Sequence, residues 1–118
     1  MHSINQISLT GKLLDLIAVN PSINDRERAK LHMLDWLGCV LAGSVTKTGH
    51  SMAKAGEAGS HPFSFERRRT TEVAFTLGGF GSLLEMDDVH RSAILHPGPV
   101  IWPAIISCVT AETAARAP

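Results

Sequence analysis

The sequence predicts an all-α chain of four or five helices with no sheet. Apolar residues recur at helical spacing in four segments, no run alternates with period two, and Gly, Pro and Asn clusters divide the segments. With 118 residues, 44% of them hydrophobic, the chain can bury a core and reads as one domain over residues 1–118.

The first segment runs from Ser3 to Val19, with Ile4, Ile7, Leu13, Leu14, Leu16 and Ile17 on an amphipathic helix. Asn20-Pro21-Ser22 ends it, because the residue before proline is pushed out of the helical region. Asn24, followed three residues later by Glu27, reads as the start of a second helix. That helix carries Leu31, Leu34, Leu37, Val40 and Leu41 to Ala42, with Gly43 placed as its stop. A short helix fits within Lys47 to Ala58, and Pro62-Phe63-Ser64-Phe65 reads as a loop leading into Arg67-Arg68-Arg69. Thr70 or Thr71 is placed to cap a fourth helix through Val73, Phe75, Leu77, Phe80, Leu83 and Leu84. It holds Gly78, Gly79 and Gly81, each costing up to about 1 kcal/mol in a helix interior, so a neighbouring backbone is expected to approach closely there. The last helix is expected to start at Pro99 or Pro103, since proline is tolerated in a first helical turn. Val100, Ile101, Ala104, Ile105, Cys108, Val109 and Ala111 make it apolar on most sides, the pattern of a buried helix.

Several classes are disfavoured. The formal net charge is zero and the one basic cluster is the arginine run, so no nucleic acid is expected as a partner. No stretch reaches the roughly 18 apolar residues a bilayer span requires, and the amino terminus lacks a signal-peptide pattern; a cytoplasmic chain with no membrane partner is expected. Cys39 and Cys108 sit singly in apolar runs, as buried free thiols do. His50 and His61 have no second donor at a metal spacing and are expected to be exposed.

The ionisable groups concentrate in one place. Glu85, Asp87, Asp88, His90, Arg91 and His96 fall within twelve residues between two apolar segments. A loop on a rigid scaffold is where binding and catalytic groups tend to sit. The carboxylates at a helix carboxyl end oppose the helix dipole, which points to function over stability. The bland alternative is that these groups only cap helices and carry solvated charge. A divalent-metal site is another alternative, from Asp87-x-x-His90 with His96, although metal sites draw ligands from a second element as well. The expectation adopted is that no metal and no other cofactor is used.

Two motifs resemble the MmgE/PrpD family. Asp35-Trp36-Leu37-Gly38-Cys39-Val40-Leu41-Ala42-Gly43-Ser44 is similar to its Asp-x-Leu-Gly-x-x-x-Ala-Gly signature. Asp87-Asp88-Val89-His90, then His96-Pro97-Gly98 and Val100-Ile101-x-Pro103-Ala104, is similar to its Asp-Asp-Thr-His and His-Pro block. The resemblance implies the amino-terminal part of a larger helical domain. It also implies a lyase or isomerase that dehydrates, decarboxylates or epimerises a small acid next to a carboxylate, by general acid/base catalysis. His96 is the implied acid/base, in keeping with imidazole titrating near neutral pH. Glu85, one methylene longer than the family's aspartate, would orient His96 or act as a base; Asp87 joins them as a catalytic candidate. Asp88, Val89, His90, Arg91 and Gly98 are the substrate-binding candidates, with the free N–H groups at Gly98 suited to an anion and Arg91 beside them. One of Asp87 and Asp88 is expected to cap or brace the loop, and His90 is read as structural. Val89 stands where the family presents a threonine hydroxyl, and Leu77 and Ser82 where an Asn and a His are common. A homo-oligomer, or a complex with a companion chain carrying the rest of the fold, is expected. The alternative function is a diverged, non-catalytic chain that works only as a partner subunit.

Overall fold

A computed structural model describes residues 8–55, Phe63 and residues 69–115. Among them the chain is all-α, with five helices: α1 (Leu9–Ala18), α2 (Ile23–Ser44), α3 (Lys47–Ala55), α4 (Thr70–Ser82) and α5 (Gly98–Ala115). The described residues hold no strand, only an isolated bridge between His90 and Leu95. None of the described helices is long and apolar enough to cross a membrane.

Local chemistry sets most boundaries. Ser8 begins α1 by accepting the Gly11 N–H at 3.1 Å; Ser3 to Ile7, expected within this helix, lie outside the described residues. α2 starts two residues earlier than Asn24 predicts. Ser22 is the cap: its Oγ accepts the Asp25 N–H at 3.2 Å and the Asp25 carboxylate accepts the Ser22 N–H at 2.9 Å. An aspartate at the third position thus fills the role assigned to Glu27. Gly43 does not stop α2 but lies in its last turn, followed by Ser44. Thr46 then joins α2 to α3, its hydroxyl donating to the Gly43 carbonyl at 2.8 Å and accepting the Gly49 N–H at 2.9 Å. α4 begins at Thr70 itself rather than being capped by Thr70 or Thr71. Arg69 precedes it, and Glu72 accepts the Arg69 N–H at 3.1 Å. Residues 56–58 of the short helix, His61 and most of the arginine run lie outside the described residues.

The core is small and lies where α2, α4 and α5 meet. Trp36 and Val40 of α2 pack with Val73, Leu77 and Phe80 of α4, and Trp102 and Ile106 of α5 close over them. The glycines of α4 explain how the helices come so near. A side chain at Gly78 would lie 2.9 Å from the Pro99 carbonyl oxygen of α5, and one at Gly81 would collide with the Trp36 indole. Pro103 has no N–H to give the Pro99 carbonyl four residues back, so that oxygen faces α4 instead.

α5 starts at Gly98, so Pro99 sits in its first turn and Pro103 inside the helix. The expectation that α5 is buried is only half met. Pro103 and Ser107 are buried, but Val100, Ile101, Ile105 and Val109 are exposed. Cys108 is exposed as well, contrary to its apolar setting in sequence, because it falls on the outer face; Cys39 is buried as expected.

Candidate functional site

The segment 83–97 leaves α4 and returns to start α5, and its backbone is shaped by two residues in the left-handed region. Glu85 has φ 51° and Ile94 φ 50°. A β-branched residue there is a genuine outlier, and strain of this sort collects at functional sites. What holds Ile94 is a tight turn in which the His90 N–H donates to the Leu95 carbonyl and the Ile94 N–H to the His90 carbonyl, both at 2.8 Å. The turn brings His96 back beside Asp87.

The His96 Nδ1 lies 2.8 Å from Asp87 Oδ2. The Asp87 side chain is 1% exposed and the His96 ring 43% exposed, so the carboxylate is enclosed and the imidazole reaches the surface. An ionised carboxylate only accepts, which puts the ring proton on Nδ1 and leaves Nε2 as the basic atom. This is how a carboxylate fixes the tautomer and direction of a general base. Asp87 Oδ1 is buried with no hydrogen-bond partner among the described residues. An unpaired buried oxygen makes the single bond to His96 matter more, because little else compensates the carboxylate's desolvation.

Asp88 is the brace. Its Oδ1 accepts the Gly98 N–H at 3.0 Å, putting a carboxylate at the amino end of α5 where the helix dipole favours it. A side chain at Gly98 would fall 2.5 Å from that oxygen, so any larger residue there has to displace the Asp88 carboxylate. Gly98 therefore does not offer the free N–H expected of it; Asp88 already holds it. The other Asp88 oxygen is 3.6 Å from His32 Nδ1 on α2. The two aspartates also reach the core: burial pushes the Cys39 thiol above its ordinary value, with smaller contributions from the charges of Asp35, Asp87 and Asp88.

The remaining candidates divide. Val89 and His90 line a cavity of about 500 Å³ together with Pro97, Gly98 and Asp88. The His90 Nδ1 accepts the Ala93 N–H at 3.3 Å, which ties the ring to its own turn. Glu85 and Arg91 are exposed and line no part of this cavity, and among the described residues neither forms an ion pair. The carboxylate bonded to His96 is thus Asp87 and not Glu85. His96 and Asp87 do not line the cavity either.

Sequence reasoning missed Arg28 and His32, which form the α2 wall of the cavity, and Ile101 and Trp102, which form the α5 wall. A signal was present. Arg28, His32 and Trp36 follow one another at i, i+4 on a single stripe of α2, so the polar pair continues the line of the buried indole. No group of three or more His, Cys, Asp or Glu among the described residues is arranged to hold a metal ion.

The model of the MmgE/PrpD N-terminal domain matches residues 15–116. The chain belongs to the MmgE/PrpD family. The cis-aconitate decarboxylase-like protein oryM of Aspergillus oryzae is 31% identical over 93 residues, covering 74% of this chain and 19% of that protein. The chain therefore spans about a fifth of the length of this curated relative. No solved structure matches it. Both family motifs fall within the matched residues and meet in the fold: Trp36 of the first lies beside Gly98 of the second, its Cβ 3.6 Å from where a Gly98 side chain would start.

Proposed function

We propose that this chain takes part in proton transfer next to a carboxylate of a small acid (dehydration, decarboxylation or epimerisation) with His96 as the general acid/base. The observation that carries the reading is the 2.8 Å bond from His96 to the enclosed Asp87, which orients an imidazole that still reaches the surface. The family, and the decarboxylase-like relative, support the class of chemistry. Asp87 serves as the positioning carboxylate. Glu85, exposed beside it in sequence, is the second proton carrier. The site works in an assembly, as a homo-oligomer or with a companion chain carrying the rest of the family fold. The chain matches only 19% of the relative, and Val100, Ile101, Ile105 and Val109 leave an apolar strip of α5 uncovered.

A second reading keeps the fold without the chemistry. Val89 in place of a hydroxyl favours it, because a site built to bond a substrate oxygen loses heavily without the partner. In that case the chain is a partner subunit only.

Turnover of small carboxylates by the assembled protein separates the two. His96→Ala is expected to lower turnover per folded molecule by about 10²–10⁴-fold, the usual contribution of a general acid/base, and to lower the melting temperature as well because it leaves the buried Asp87 carboxylate unpaired. A lowered melting temperature with unchanged turnover per folded molecule would reject the catalytic role.

A further inference from the structure

Two buried side-chain atoms have no hydrogen-bond partner among the described residues, and they are of opposite kind. The Nε1–H of Trp36 is a donor and Oδ1 of Asp87 an acceptor. Neither can turn to bulk solvent, since Trp36 is fully buried and the Asp87 side chain is 1% exposed. A buried polar atom left unpaired costs free energy, and native proteins leave few of them.

The fold brings the two atoms toward each other. Gly81 of α4 packs against the indole at Nε1, where a side chain would collide. α4 ends at Ser82, and Asp87 follows five residues on. Cys39, three residues after Trp36 on α2, has its thiol pushed up by burial first and then by nearby charges, that of Asp87 among them. The Asp87 carboxylate therefore lies close to this stretch of α2. Trp36 and Asp87 do not bond directly, so a third group has to join them. A cation would suit the carboxylate but not the indole hydrogen. Water suits both, accepting from the N–H and donating to Oδ1. A buried water makes about three hydrogen bonds, and the last turn of α4, where helical N–H partners run out, offers carbonyls for the third.

We infer that one buried water bridges Trp36 Nε1–H to Asp87 Oδ1 and makes Trp36 a positioning residue for the His96–Asp87 pair. Holding Oδ1 toward α2 keeps Oδ2 facing His96 Nδ1. Trp36 occupies the unspecified position of its Asp-x-Leu-Gly motif, so the motif itself assigns the indole N–H no role. The positioning role rests on the reading that Asp87 orients His96; the water does not.

Nuclear magnetic resonance of the full chain, without substrate, tests both parts. The Trp36 indole proton should show cross-relaxation to water with opposite signs in the laboratory and rotating frames, the mark of a bound water. Asp87→Asn should move the Trp36 indole N–H resonance and leave that of Trp102 in place. Trp36→Phe keeps a ring but removes the donor, and should shift the His96 ring nitrogens toward mixed tautomers, by less than Asp87→Asn does. No bound-water signal at Trp36, or a Trp36 resonance unmoved by Asp87→Asn, overturns the bridge. A lower melting temperature for Trp36→Phe with unchanged His96 ring shifts overturns the positioning role and leaves Trp36 a core residue only. If Trp36→Phe does not fold, the unsubstituted chain and Asp87→Asn still decide the bridge. His96→Ala should keep the bound-water signal, so a failed turnover assay and a failed bridge are told apart.

Discussion

Helix α1 and the junction of α2, α4 and α5 contrast two ways in which sequence becomes structure. α1 is specified locally: a serine cap starts it, an Asn-Pro pair follows it, and apolar residues lie between. Yet it has no buried residue and packs against none of the other helices, so Leu13, Leu14, Leu16 and Ile17 stay exposed. The junction is poorer in helix-forming residues, with three glycines in α4 and a proline inside α5. It nevertheless holds every member of the buried core cluster. Helical propensity decides that a helix forms, whereas close approach decides what it is worth to the fold.

The contrast can be broken by truncation. Trp36→Ala should cost about 3–5 kcal/mol, the range for a large aromatic removed from a core. Leu14→Ala, at an exposed position of α1, should fall within about 0.5 kcal/mol of zero. Chemical denaturation of the two variants checks both, and a comparable loss for Leu14→Ala would show α1 to be covered in solution.

A glycine pair in α2 sharpens it. Nothing lies within 4 Å of a side chain placed at Gly38, whereas one at Gly43 would collide with the Phe80 carbonyl of α4. Gly38→Ala should therefore stabilise by up to about 1 kcal/mol through helix propensity alone. Gly43→Ala should destabilise despite the same gain, because a backbone cannot move aside cheaply. Thermal melts of the two give opposite signs.

The smallest effect concerns the α2 cap. The Ser22 hydroxyl and then its backbone N–H, both bonded to the Asp25 carboxylate, hold that carboxyl below its ordinary value. The folded-state value being lowered, the stabilisation is present in full above the unfolded value and is lost as pH falls through the folded one. The stability gap between the unsubstituted chain and Asp25→Asn should narrow as denaturation is repeated from neutral to acidic pH.

Much of the fold was legible because its signals are local. The helices and the close approach implied by the α4 glycines follow from spacing and propensity. The boundaries slipped where two caps competed, as Ser22 and Asn24 did at the start of α2. The exposure of Cys108 was hidden, since an apolar run does not say which of its faces is covered. At the site, the loop and its residue types could be read, but not their pairing. Asp87 meets His96 across nine residues only because Ile94 takes a left-handed turn, and nothing in that side chain announces it. Arg28 and His32 lie more than fifty residues before the loop they face, and only their stripe with Trp36 pointed there.

If Asp87 fixes the tautomer of His96, nitrogen-15 shifts of the His96 ring read it without any substrate. Neutral His96 should carry its proton on Nδ1, and Asp87→Asn should mix the two tautomers. A neutral ring protonated on Nε2, unmoved by Asp87→Asn, would contradict it.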